Sequence, residues 1–242
     1  MRPRGFAVAA AVVVIAGCVV VAGCGAAATP PPGSWLHPSF GAAQLEGETV
    51  VVLPVGAVSA GGGAVTSDSV AASLAVRAGE ALATGLETGG AAGAAVRPVV
   101  AIVTLGTLSE EEVRSLYAPL SAAVLDAAQG GRLDPDAAAR WRGVADRTGR
   151  RYFLLPRSLS IDRLEPLRVR ATFDAWLVDG TSATVLWHAD VSAVNPHAPS
   201  GAAADVYGAA LDDAIHAAAS GLAARLARLA RTGSDDFEGA LP

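Results

Sequence analysis

The sequence predicts an α/β domain with an α+β tendency: a mixed sheet that ends in an antiparallel hairpin and is covered by amphipathic helices. Three observations predict it. Short valine-rich runs, Val50–Val55 and Val99–Val103, are bounded by turn residues, as strands buried on both faces are. Apolar stripes at helical spacing lie between and after them. From Leu167 the period changes to two. Leu167, Val169, Ala171, Phe173, Ala175 and Leu177 share one parity, and Arg168, Arg170, Thr172 and Asp174 share the other, which reads as a strand with one wet face.

The elements follow in order. Gly25 to about Gly47 reads as a tether, stiffened by Pro30–Pro32, with Trp35 and Phe40 as docking points on the domain. After the strand Val50–Val55, Ser59–Gly63 reads as a loop. Asp68 suits a helix N-cap. Val70, Leu74, Ala78, Leu82 and Leu86 then repeat every four residues until Gly89-Gly90 stops the helix. Ser109 and Glu112 form a capping box, followed at helical spacing by Val113, Leu116, Leu120 and Val124, with Pro119 as a kink. Asp134-Pro135 opens a further helix that Gly149 closes after Thr148. Arg151–Leu155 reads as a strand closed by Pro156. Asp179-Gly180 turns the chain of Leu167–Val178 into a returning strand, Ala183–Val191. Asn195–Gly201 is a loop, and Ala203–Leu229 is a long helix. Arg225, Arg228 and Arg231 fall near its C-terminus, where cations suit the dipole. The expected division is a leader 1–23, a flexible tether 24–47, one domain 48–231 and a disordered tail 232–242.

Composition limits the function classes. The 242 residues are 52% hydrophobic and 17% charged, with a net charge of −5. Mean hydropathy is +0.41, which suggests a membrane protein, but alanine and the leader inflate it, and charges are spread too evenly for several spans. No basic stripe marks a nucleic-acid binder. All 18 cationic side chains are arginines, so a Schiff-base lysine or a phosphate-loop lysine is excluded.

The first 28 residues read as an address. Arg2 and Arg4 precede an uncharged apolar stretch, Gly5–Val21, and then small residues, the order of a secretory signal. Val21-Ala22-Gly23-Cys24 resembles the lipobox of bacterial lipoproteins, in which the cysteine is lipidated and becomes the new N-terminus. Cys18 follows a similar tetrad, but cleavage there would leave Val19–Val21 as an apolar stub, so Cys24 is preferred. An ordinary cleavage near Ala28, or retention of Gly5–Ala28 as an anchor, are the competing readings. With Cys18 removed and Cys24 lipidated, no thiol is left for a disulfide, a metal or a nucleophile.

Chemistry is sparse. Gly61–Gly63 lacks phosphate-loop spacing and reads as a flexible loop. His37, His188, His197 and His216 show no paired ligand spacing, so no metal or cofactor is expected and half-buried or surface histidines are the plainer reading. Asp212 and His216 form a surface pair at i, i+4. A Gly-x-Ser-x-Gly elbow is absent. Asp134/Asp136 and Asp212/Asp213 read as caps and a solvated face. The Arg140, Arg142, Arg147, Arg150, Arg151 stretch is read first as a solvated helix face and second as a surface for an acidic partner. Trp176 and Trp187 flank the hairpin turn. They read as a cross-strand pair, with Trp176 on the polar parity as an exposed docking point for a partner.

Val50–Val55, Ala145–Leu155 and the hairpin Phe173–Trp187, with Asp179, Thr181 and Trp187 in place, resemble a group of bacterial envelope lipoproteins. These are the outer-membrane activators of peptidoglycan synthases, the amino-terminal domain of the Tol-system periplasmic protein and the curli-secretion channel lipoprotein. The resemblance spans about Thr49–Arg231. It implies a non-catalytic, lipid-tethered periplasmic module that binds another envelope protein. The short or glycine-rich connections Ala57–Ser67 and Leu105–Ser109 do not suit a pore. In an organism with two membranes, Gly25, in place of the aspartate that commonly retains lipoproteins at the inner membrane, favours the outer one. An auxiliary subunit of an envelope transporter and an enzyme with a dispersed site are the alternatives.

Overall fold

The computed structural model describes residues 34–41, 44–45, 48–60, 68–90, 97–100, 110–117, 131–165, 167–196 and 203–233. Cys18, Cys24, Gly61–Gly63, Ser109, Pro119 and His197 lie outside them. Among the described residues seven strands form one mixed sheet: β1 Ser34–Leu36, β2 Thr49–Val52, β3 Ala57–Ala60, β4 Arg97–Val100, β5 Tyr152–Glu165, β6 Arg168–Asp179 and β7 Thr184–Val194. Its order is β1-β7-β6-β5-β2-β4, with β3 also paired to β5. Strands β2, β3 and β4 join in parallel, and β5, β6, β7 and β1 are antiparallel. Helices α1 Asp68–Gly90 and α4 Ala203–Thr232 cover one face. Helices α2 Glu110–Tyr117 and α3 Pro135–Thr148 pack on the other. The α/β class with an antiparallel C-terminal hairpin is therefore the observed one.

Strand β2 shows why its run is wholly apolar. Val50 and Val52 enter the core under α1 and α4, while Val51 and Leu53 enter the core under α3. Helix α3 is defined locally at both ends. Asp134 Oδ1 accepts from the N–H groups of Asp136 and Ala137, both at 3.0 Å, and Gly149 closes the helix at φ 61° with its N–H on Ala145 O. The alanine-rich stripes of α1 and α4 let those helices lie close together. A Cβ on Gly85 would sit 3.3 Å from the Ala219 carbonyl, and Arg77 meets Asp212 at 3.0 Å across the pair.

Several expectations are corrected. Pro156 does not close its strand, because β5 continues to Glu165 through a bulge at Pro156–Ser158. A bulge is where a residue without an N–H is tolerated. It also shifts the parity, so that Tyr152 and Leu154 before it and Leu159 and Ile161 after it all reach the same core. The prolonged β5 offers an edge, and Ala57–Ala60, within and before the expected loop, fills it as β3. Within the expected tether, Ser34–Leu36 pairs with Trp187–Ala189 as β1, and Phe40 is buried in the core.

The wet face of β6 is only half wet. Arg168 and Arg170 are exposed, but Trp176 and Val178 lie in the core beneath Trp141 of α3.

Candidate functional site

Helix α3 covers the end of β6 and the start of β7. Where that cover stops, the same face of the sheet carries a polar constellation. Strand register places Asp174 of β6 directly opposite Asp190 of β7, and Trp176 opposite His188. Two carboxylates facing each other across a strand pair repel, and the surroundings offset this. His188 Nε2 lies 3.1 Å from Asp174 Oδ1 and 3.9 Å from Asp190 Oδ1. Arg157 Nε, from the bulge of β5, is 3.3 Å from Asp174 Oδ2. Trp176 donates its indole N–H to Asp174 Oδ1 at 2.5 Å, and its ring packs 4.7 Å from the His188 imidazole.

The two carboxyls respond in opposite directions. Burial works against ionised Asp174, but hydrogen bonds from His188 and Trp176, with the Arg157 charge, outweigh it and hold its pKa below the usual range. Partial burial, reinforced by the Asp174 charge, pushes Asp190 upward against the cations nearby. Asp174, His188 and Asp190 each present one ligand-type atom, all within 4.8 Å of one another. The first two are largely buried and Asp190 is half exposed. Chemically, the group can hold a cation or move a proton between imidazole and carboxylate.

Both tryptophans expected at a docking surface are buried, with Trp176 4% and Trp187 0% exposed. They do not stack across the hairpin. A bulge at Leu177–Val178 puts Trp187 opposite Leu177, so its ring enters the core under α4, while Trp176 faces α3. Trp176 takes part in the site as a donor and a brace. Cys24, expected to carry lipid, lies outside the described residues.

The remaining polar residues have local roles. His37 Nδ1 sits 2.8 Å from the Ser39 hydroxyl, and His216 Nδ1 binds the Asp212 carbonyl at 2.8 Å, the Asp212 carboxylate being used by Arg77. Of the arginine stretch, Arg147 pairs with Glu112 at 2.6 Å and Arg151 with Asp179 at 2.8 Å. Arg142, with Arg132, lines a cavity of about 400 Å³ beside Ser182 and Thr184.

Sequence reasoning missed the grouping of Asp174, His188 and Asp190. Asp174 and His188 straddle the hairpin turn, and their meeting depends on a register that the bulge sets. The available signal was parity: Asp174 and Trp176 on one strand, His188 and Asp190 on the next.

No protein-family model matches the chain, and no curated protein matches it. Among solved structures it is similar to the PelC dodecamer from Paraburkholderia phytofirmans, at 16% identity and a TM-score of 0.33, over 79% of this chain and 96% of that one. It is also similar to the LpoB C-terminal domain from Salmonella enterica, at 13% identity and a TM-score of 0.27, over 62% and 84%. A third is lipoprotein GNA1162 from Neisseria meningitidis, at 12% identity and a TM-score of 0.29, over 64% and 85%. None is similar enough to transfer a role.

Proposed function

We propose that this chain is a lipid-anchored, non-catalytic interaction and assembly module of a bacterial cell envelope, held through Cys24 at the outer membrane and facing the periplasm. The observation that carries the reading is the leader, in which Arg2 and Arg4, the apolar stretch Gly5–Val21 and Val21-Ala22-Gly23-Cys24 follow in lipoprotein order. Two or more acyl chains on such a cysteine hold a protein on a bilayer, where one alone binds marginally. Among the described residues no helix is long and apolar enough to cross a membrane. In this reading attachment comes from the lipid.

Among the described residues the first strand begins at Ser34, so in this reading nine residues, 25–33, separate the lipid from it. At about 3.5 Å per extended residue they reach roughly 30 Å, enough for the domain to meet a neighbour near the membrane surface. With Trp176 and Trp187 buried, this reading puts the partner contact on apolar side chains left in solvent. Among the described residues Val70 and Val76 of α1 are exposed as well as Leu164, Leu167 and Tyr207, and the contact is put where three of them gather, at Leu164 and Leu167 of the β5–β6 connection with Tyr207 beside Arg163. Crosslinking and pull-down of the lipidated protein from its own envelope tests it. A specific protein partner, lost when Leu164 and Leu167 are both changed to Asp, is expected. Recovery of no specific partner contradicts the reading.

A further inference from the structure

We propose that Asp174, His188 and Asp190 form a binding site for a zinc-class divalent transition-metal ion. The inference does not depend on how the chain is anchored.

The donor set is one imidazole nitrogen and two carboxylate oxygens within 4.8 Å of one another. Donors around a tetrahedral zinc at about 2.0 Å are roughly 3.3 Å apart. The His188 Nε2–Asp174 Oδ1 separation of 3.1 Å is already close to that. Asp190 Oδ1 is 3.9 Å from the same nitrogen on a half-exposed side chain, and ligation requires it to turn inward by a fraction of an ångström. Imidazole with carboxylates suits zinc and its neighbours, whereas magnesium and calcium prefer oxygen alone.

The surroundings resemble a built outer shell. Metal-binding carboxylates and imidazoles are usually oriented by further hydrogen bonds and packing. Here Arg157 takes Asp174 Oδ2, the Trp176 N–H orients Oδ1, and the Trp176 ring braces His188. Two guanidiniums oppose a cation here, Arg157 on Asp174 and Arg225, whose Nη1 lies 3.3 Å from the Asp190 main-chain carbonyl, so the two carboxylates are balanced in charge and selection of an ion rests on the nitrogen and oxygen donor geometry. A bound cation would also relieve the repulsion that register imposes on Asp174 and Asp190. To bind through Nε2 a neutral His188 takes the tautomer with its proton on Nδ1, so that the ion receives the Nε2 lone pair and no net proton is released. Three protein ligands leave a fourth position for water or a donor from a partner.

The test is calorimetric titration of zinc chloride into the full chain in detergent, beside His188→Ala and Asp190→Asn, with magnesium as control. The expected result is one zinc per chain in the unaltered protein and no magnesium uptake. Binding should weaken at least about tenfold in Asp190→Asn and be lost in His188→Ala. Absence of stoichiometric uptake overturns the proposal. So does affinity unchanged in the variants, which would place the ion at another histidine such as His37 or His216. If His188→Ala fails to fold, Asp190→Asn, altered at a half-exposed side chain, decides alone.

Discussion

Arg151 sends two hydrogen bonds to one oxygen of Asp179: Nε lies 3.0 Å and Nη2 2.8 Å from Oδ2. The other oxygen accepts from the Thr181 N–H at 2.9 Å, the Thr181 hydroxyl at 2.6 Å and the Ser182 N–H at 3.2 Å. One carboxylate, 3% exposed, thus ties the start of β5 to the β6–β7 turn. Asp179→Ala should lower the unfolding free energy by about 2–4 kcal/mol, because it strands turn amides and a cation. Asp179→Asn, which keeps an acceptor, should cost less. Urea unfolding of both variants checks this, and an unchanged midpoint for Asp179→Ala would remove the turn's assigned role.

Acid should weaken the fold in a defined way. Burial opposes ionised Asp179, but Arg151, Thr181 and Ser182 outweigh it, so its folded pKa, like that of Asp174, lies below the ordinary value. Their stabilisation is present above the unfolded carboxylate value near 4 and is lost as pH falls through the lower folded values. Asp190 has the opposite sign. Its raised folded pKa gives stability that is present below the unfolded value and lost as pH rises through the folded one. Melting temperature should therefore drop between about pH 5 and pH 2, and less so in Asp179→Asn. At neutral pH, metal-free Asp190→Asn should melt slightly higher than the unaltered protein.

The Tyr152 hydroxyl is buried with no hydrogen-bond partner among the described residues. Tyr152→Phe keeps the ring in the core and removes an unsatisfied group, so stability should rise by about 1 kcal/mol. A thermal melt that falls instead would mean the hydroxyl has a partner.

Trp176 and Trp187 should now behave as core residues. Trp187→Ala leaves a cavity under α4 and should cost about 3–5 kcal/mol. Trp176→Phe keeps most of the packing but drops the indole N–H, and the Asp174 pKa should rise, since that hydrogen bond helps lower it. Carboxyl titration by NMR reads the shift directly, and an unmoved Asp174 would show the indole bond to be idle.

Elements whose signals are local were legible in the sequence. Helix α3 shows this best, since Asp134, Pro135 and Gly149 mark its ends and need no other part of the chain. Strands β1 and β3 were not legible because they are three and four residues long and exist only where β7 and the prolonged β5 offer an edge. The second core had a visible trace. On the polar parity of β6, Arg168, Arg170, Thr172 and Asp174 give way to Trp176 and Val178, marking where α3 begins to cover the sheet. The candidate site needed more than this. Parity places Asp174, His188 and Asp190 on one face, but only a register that includes the Leu177–Val178 bulge brings them together.

Attachment through lipid at Cys24 is decided by mass spectrometry of the mature N-terminal peptide from the native envelope. A chain that starts at Cys24 and carries diacylglycerol on its sulfur is expected. A start at Cys18 or after Ala28, or an intact leader, would contradict attachment at Cys24.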